Sequence, residues 1–369
     1  MNETLEAQDL ANGTKVSSPI GGYQFVQIHS EDEKDPDTIW LKGSDSCPAW
    51  NGASSSYRNS TEYLSLVQST QSFYSQFNSI LAAHLPPNKI SYANAYDVFD
   101  IINVASIHNK TDIVTPEQLD QLRYYANEWE SNMNYNASDS GRAIGGATLA
   151  GAFLKQLNES ITSQGKLKFS LMTGSYNTFL AFFGLSGLKN LNNDFNGLPD
   201  YASSMVFELY SDTDGTTFPA EQDLRVRFLF RNGTDSSDEL VAYPLFGTNS
   251  MALSYTDFRA HMNEFAINNA TQWCSTCQQT QGFCSQPSIA GSSKTDDAVK
   301  SSSNGGRTGG ISTAVAGVIG AVVALAVVGL FGLVLFLLRR RKNKNGVAAG
   351  APVTRKYSKE ASSFETRSV

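Results

Sequence analysis

An α/β layer domain held outside a membrane by one C-terminal helix is what the sequence predicts, and three observations predict it. A strand, a tight turn and a helix follow one another from Leu167 to Thr178. Two alternating apolar stretches come next, Met205 to Tyr210 and Leu224 to Arg231. An uncharged run of 28 residues, Ile311 to Leu338, follows later in the chain. Helical and strand periods in that order describe helices layered on a sheet. About 20 apolar residues in a helix cross the hydrocarbon of a bilayer, so the last run is long enough to span.

The charges agree with the span. Arg339, Arg340, Arg341, Lys342 and Lys344 follow it directly, a cluster that the positive-inside rule keeps cytosolic. From Arg339 to Val369 there are nine Lys/Arg and two Asp/Glu, which leaves 19 basic and 33 acidic residues before them, a net −14. So acidic a body is a poor partner for nucleic acid. A buried core helix is the bland reading of 311–338, but its length and basic flank argue for lipid. The expectation is a single-pass type I protein of the plasma membrane or secretory pathway, its body outside or lumenal. Ala316, Gly320 and Ala324 place small residues four apart in the span, a spacing that suits a weak transmembrane homodimer.

The body carries marks of export. Asn12, Asn59, Asn109, Asn136, Asn158, Asn232 and Asn269 each begin an Asn-x-Ser/Thr triplet, as does Asn2, and all precede the span. So do Cys47, Cys274, Cys277 and Cys284. Four cysteines allow three pairings, and Cys47 is expected to join one of the other three. Cys274-x-x-Cys277 lacks the second cysteine pair or histidines that a metal site needs, so disulfides are expected and no cofactor. Met1-Asn2-Glu3-Thr4 opens no signal sequence. A chain incomplete at its start, or one never exported properly, is the expectation from that.

Along the body, Tyr63, Val67, Phe73, Phe77 and Leu81 recur at helical spacing before Pro86-Pro87. Thr115, Pro116 and Gln118 form a capping box for a helix whose stripe is Leu119, Leu122, Ala126 and Trp129. A third helix is expected from about Gly141 to Leu157, with Gly145, Gly146 and Gly151 letting it approach a sheet closely. Leu167 to Met172 reads as a strand, and a short helix follows from about Thr178. Met205, Phe207 and Leu209 alternate with Val206, Glu208 and Tyr210 against a strand carrying Val226, Phe228 and Phe230. The divisions expected are a body at 1–284, a Ser/Gly-rich stalk at 285–310, the span at 311–338 and a basic, disordered tail at 339–369.

Several stretches resemble the histidine acid phosphatases of the lysosomal and prostatic type, and more closely their membrane-anchored fungal relatives. Gly197-Leu198-Pro199-Asp200-Tyr201-Ala202-Ser203 leading into Phe207-Glu208-Leu209-Tyr210 carries most of the likeness. Val226 to Thr234 and Tyr243-Pro244-Leu245 follow in order, and Ser106-Ile107-His108-Asn109, Gly145-Gly146 and Cys47-Pro48 are weaker landmarks. The resemblance implies a doubly wound sheet of the phosphoglycerate-mutase-like type with a helical cap, its first strand lacking here. It also implies phosphomonoester hydrolysis in acid. That chemistry uses a histidine nucleophile in Arg-His-Gly-x-Arg-x-Pro, arginines on the phosphoryl oxygens and a His-Asp acid.

Neither motif is present. The histidines are His29, His84, His108 and His261, none followed by glycine, and each is expected to be structural or on the surface. The His-Asp position aligns with Ser175-Tyr176. A tyrosine, with an ordinary pKa of about 10, can donate a proton but does not supply the charge of a carboxylate. The expected function is that of a catalytically impaired, membrane-anchored phosphatase-like body, with a phosphorylated or cell-wall ligand as its expected partner. An active acid phosphatase completed at its N-terminus and a structural cell-surface glycoprotein are the alternatives.

Overall fold

The computed structural model describes residues 7–17, 28–32, 34–108, 113–234 and 239–286. The chain divides into two compact units, Met1–Ala298 and Val299–Val369, and all the described residues belong to the first. Among them no helix is long and apolar enough to cross a membrane. The 311–338 run, the 339–369 tail and all but the first two residues of the 285–310 stalk lie outside the described residues.

A small hairpin, β1 (Ala7–Asp9) with β2 (Lys15–Ser17), turns at Gly13, whose φ of 83° suits glycine. Helices α1 (Ile39–Lys42), α2 (Pro48–Arg58), α3 (Thr61–Ser69), α4 (Gln71–Ser75) and α5 (Asn78–Leu81) follow. The last three replace the single helix expected over Tyr63 to Leu81. Thr70 ends α3, its hydroxyl bonded to the Leu66 carbonyl at 2.7 Å, and the chain changes direction there. Of the expected stripe Tyr63, Phe77 and Leu81 are buried and Val67 and Phe73 half-buried, so the apolar spacing predicted burial in part and continuity wrongly.

Helices α6 (Ala95–His108) and α7 (Pro116–Asn134) pack on each other. The α7 start is as expected: the Thr115 hydroxyl accepts from Gln118 N at 3.2 Å, and Thr115 N donates to Gln118 Oε1 at 3.0 Å. Helix α8 (Ile144–Thr162) lies along α9 (Tyr176–Leu185). A Cβ on Gly146 would come within 2.5 Å of α9 backbone, and one on Gly151 within 2.0 Å of the Ile267 carbonyl oxygen. The glycines thus admit a helix and a chain segment, where a sheet was expected. Gly151 in particular lets Ile267 N reach the Ala147 carbonyl at 2.9 Å.

The second sheet is antiparallel. Strand β3 (Ser204–Tyr210) pairs with β4 (Arg225–Arg231) along its whole length, Phe207 opposite Phe228. Strands β5 (Val241–Tyr243) and β6 (Ala252–Ser254) pair with opposite ends of β4. Helices α10 (Tyr255–Asn263) and α11 (Ala270–Cys277) complete the described body. One face of the sheet meets the helices through aromatic rings: Phe153–Phe207 at 4.3 Å, Phe207–Phe258 at 5.6 Å and Phe183–Phe230 at 5.3 Å between centroids. Each such buried ring contributes about 1.5–3 kcal/mol. The body is a mixed helix/sheet one, consistent with a histidine phosphatase α/β fold.

The doubly wound sheet needs correction on two points. Every ladder among the described residues is antiparallel. Leu167 to Met172, expected as a strand, belongs to no ladder, because no described strand lies beside it to complete its hydrogen bonds.

Two disulfides close the body. Cys47 joins Cys277 across 230 residues, and Cys274 joins Cys284 across 10. Loop closure makes the first worth about 5 kcal/mol and the second about 3. Around them Ile39, Ile144, Ile267, Trp273 and Phe283 form a separate apolar cluster, and the Trp273 indole donates to the Gly43 carbonyl at 2.7 Å.

Candidate functional site

Ser175 and Tyr176, at the position where the sequence lacks a His-Asp pair, sit at the start of α9. Ser175 caps the helix through its backbone alone and is exposed. Tyr176 is the first helical residue and points its hydroxyl at α7. It donates to Glu130 Oε1 at 2.8 Å. Asn134, one turn along α7, donates to Glu130 Oε2 and to the Glu130 carbonyl, both at 2.9 Å. Glu130 is 5% exposed.

Burial penalises the carboxylate and pushes Glu130 up to about 7; the bonds from Tyr176 and Asn134 pull the other way, and Asp97 adds repulsion. The same burial raises Tyr176 above the ordinary phenol range, and the charge of Glu130 raises it further. Above its pKa the Glu130 carboxylate accepts the hydrogen bond of the phenol, which keeps its proton.

Helix α6 supplies the outer wall. Tyr96 stacks on Tyr176 with ring centroids 4.7 Å apart. Burial, then Asp100, raises the Tyr96 phenol. Asp100 accepts from the hydroxyl of Tyr201, and that bond, more than burial, pushes Tyr201 up. Two carboxylates, Asp97 and Asp100, thus stand near a third, and three tyrosines fill the space between them. Such a surface repels a phosphate dianion.

Several cations of the described body are committed to other partners. Arg142, 8% exposed, donates to the main-chain carbonyls of Asn132 at 3.1 Å and Ala53 at 3.3 Å, beside Asp139. Arg123 pairs with Asp200 at 3.0 Å, Arg227 with Glu208, and Arg259 with Glu221 at 3.0 Å. Lys189 donates to Ser131 Oγ and lies over the Tyr135 ring, its pKa lowered by burial. The groups that act on Tyr176 and Glu130 include no arginine and no histidine.

The histidines lie apart from this pair. His29 and His84 are exposed. His108 Nδ1 is 3.0 Å from the Gln8 amide, which ties α6 to the N-terminal hairpin. His261 stacks on Phe246 and approaches Glu264 at 3.2 Å on the surface of α10. Among the described residues no group of three or more His, Cys, Asp or Glu is placed to hold a metal ion.

Of the triplet asparagines, Asn12, Asn59, Asn158 and Asn269 are exposed, while Asn136 and Asn232 are half-buried. Asn232 Oδ1 accepts from Asp200 N at 2.9 Å and Ser203 Oγ at 3.1 Å, so its side chain braces the loop before β3. Asn2 and Asn109 lie outside the described residues.

Sequence reasoning ended the α7 stripe at Trp129 and missed Glu130. The signal was there: Leu122, Ala126 and Glu130 are four apart, so a carboxylate continued a buried apolar face. A charge on such a face is rarely buried without a partner.

Comparison of the chain with curated proteins gives no match. The sequence profile of the histidine phosphatase superfamily (branch 2) matches residues 12–231, more than half of the chain and all of α1 to β4. The mixed fold and this match lead to one conclusion: the chain belongs to the histidine phosphatase superfamily, branch 2.

Proposed function

We propose that this chain is a membrane-anchored, glycosylated ectodomain of the lysosomal/prostatic type of acid phosphatase, impaired in hydrolysis and retained for binding a wall-associated ligand. The observation that carries it is the bond between Tyr176 and Glu130. A positioned acid gives its proton to a leaving group; here the residue in that place is a phenol held above its ordinary range and turned toward a buried carboxyl. Loss of such an acid costs about 10²- to 10⁴-fold in rate. The acidic surroundings and the committed arginines weigh the same way. Anchoring rests on the 311–338 run with its basic flank, and glycosylation on the triplets, four of whose asparagines are exposed.

The test is release of phosphate from 4-nitrophenyl phosphate by the full chain near pH 5. No turnover above buffer is expected, and turnover at the rate of an ordinary acid phosphatase refutes the proposal.

One observation favours the second reading, an active acid phosphatase whose nucleophile lies outside the described residues. A carboxyl that titrates at about 7 still holds its proton at pH 5, where an ordinary glutamic acid has lost most of it. Trapping a phosphohistidine on the chain would establish that reading.

A further inference from the structure

A cavity of about 430 Å³ opens where α2, the turn at 139–141 and the end of α11 meet. That lies within the range of small-molecule pockets, about 300–1,000 Å³. Its walls are fixed before any ligand arrives. Cys47 caps α2 and is bonded to Cys277, the last residue of α11. Across the same junction Gln279 Nε2 donates to the Ser46 carbonyl at 2.7 Å. Arg142 Nε donates to the Ala53 carbonyl at 3.3 Å and so ties the turn to α2. A cleft held in this way loses little freedom when it is filled.

The lining sets the class of ligand. Ala49, Ala53 and Ile144 give an apolar wall, the first two on one face of α2. Ser56, Ser140 and Thr276 add hydroxyls and Gln278 an amide, groups that both donate and accept. Asp139 brings charge: its Oδ1 accepts from Gly141 N at 3.2 Å, and its side chain is still 35% exposed. A carboxylate there repels phosphate. Arg142 Nε, 3.7 Å from Asp139 Oδ2, offsets that charge, so a cation gains little as well. What fits is a neutral molecule dense in hydroxyls and with an apolar face, which is a sugar ring. We propose that this cleft binds a hexose unit of a neutral polysaccharide. The proposal rests on the reading above in one respect, that the ligand is wall-associated. The chain's own glycan would offer the same chemistry, because Asn136 begins the turn that Asp139 closes, Asp139 N donating to the Asn136 carbonyl at 3.1 Å.

The test is calorimetric titration of the full chain with three neutral hexamers, cellohexaose, laminarihexaose and mannohexaose. At least one should bind with a Kd below about 1 mM. Ser56→Trp and Thr276→Trp, at exposed positions on two different walls, should each fill the cleft and weaken binding at least about tenfold. Ser72→Trp, equally exposed but on α4, should leave it unchanged. Asp139→Asn keeps an acceptor for Gly141 N and removes the charge, and should weaken binding about fivefold. A circular dichroism melt checks that each variant folds. Binding that both tryptophan variants leave intact overturns the cleft, and failure of all three hexamers up to about 10 mM overturns the sugar. Binding that appears only after peptide-N-glycosidase F treatment shows the chain's own glycan in the cleft and overturns the polysaccharide as its occupant. Phosphate release from 4-nitrophenyl phosphate, which counts against the impaired-enzyme reading, does not enter these titrations, so the two failures are read separately.

Discussion

Two stretches of this chain carry the same alternating pattern and meet opposite fates. Met205 to Tyr210 forms β3, paired in full register with β4, and its Phe207 lies 5.2 Å from Phe228 between centroids. Leu167 to Met172 alternates as cleanly and pairs with no described strand, its Phe169 and Leu171 exposed. The difference does not lie in the residues. β3 has a neighbour some 20 residues on, joined by a polar connection and matched in length; Leu167 to Met172 has helices on either side in sequence and no described strand next to it. A strand is a relation between two segments, and alternation describes only one of them.

Three measurements press on that contrast. The largest effect belongs to the paired side. Phe228→Ala removes a ring that is 1% exposed and touches Phe182 and Phe207, and should cost about 3–5 kcal/mol in denaturant unfolding. A cost below 1 kcal/mol would mean that the sheet face is not packed as described.

The next effect lies just beyond the unpaired segment, in the clasp at the start of α9. Glu130 binds its proton at about 7 in the folded chain and at the ordinary carboxyl value of 4.5 when exposed. Between those values the folded state holds the extra proton, so its stability is fullest near pH 4.5 and falls as pH rises through 7. The loss amounts to about 3 kcal/mol. Glu130→Gln, which cannot ionise, should flatten that slope in melts taken from pH 4.5 to 8. A slope unchanged by the substitution would place the titrating group elsewhere.

The smallest effect is on the unpaired side. Phe169→Ala should change the stability of the chain by less than about 0.5 kcal/mol, because the ring is already in water. A loss comparable to that of Phe228→Ala would show that the segment is packed within its own chain.

Legibility followed the reach of each interaction. The capping box at Thr115 and Gln118 spans three residues and was plain from the sequence. The β3–β4 pair was plain because alternation and a polar connection sit side by side. Cys47 was expected to join a C-terminal cysteine; which one depended on where α11 lies, and the fold places Cys277 there. The break at Thr70 escaped because apolar spacing continues through it. That Ser175-Tyr176 stands where the resemblance implies a His-Asp pair could be seen, but the buried Tyr176–Glu130 bond joins residues 46 apart on two helices, and no local pattern carries that.

By itself, then, the order of residues determined most of the local elements, the family landmarks and the division between an acidic body and a basic tail. These depend on propensity, periodicity and charge, which neighbouring residues set among themselves. Tertiary structure alone decided that Glu130 is buried against Tyr176, that glycines of α8 admit α9 and the Ile267 segment, and that one alternating stretch has no partner among the described residues. Burial, desolvation and strand pairing are properties of what lies across the gap, and the chain supplies that only when it has folded.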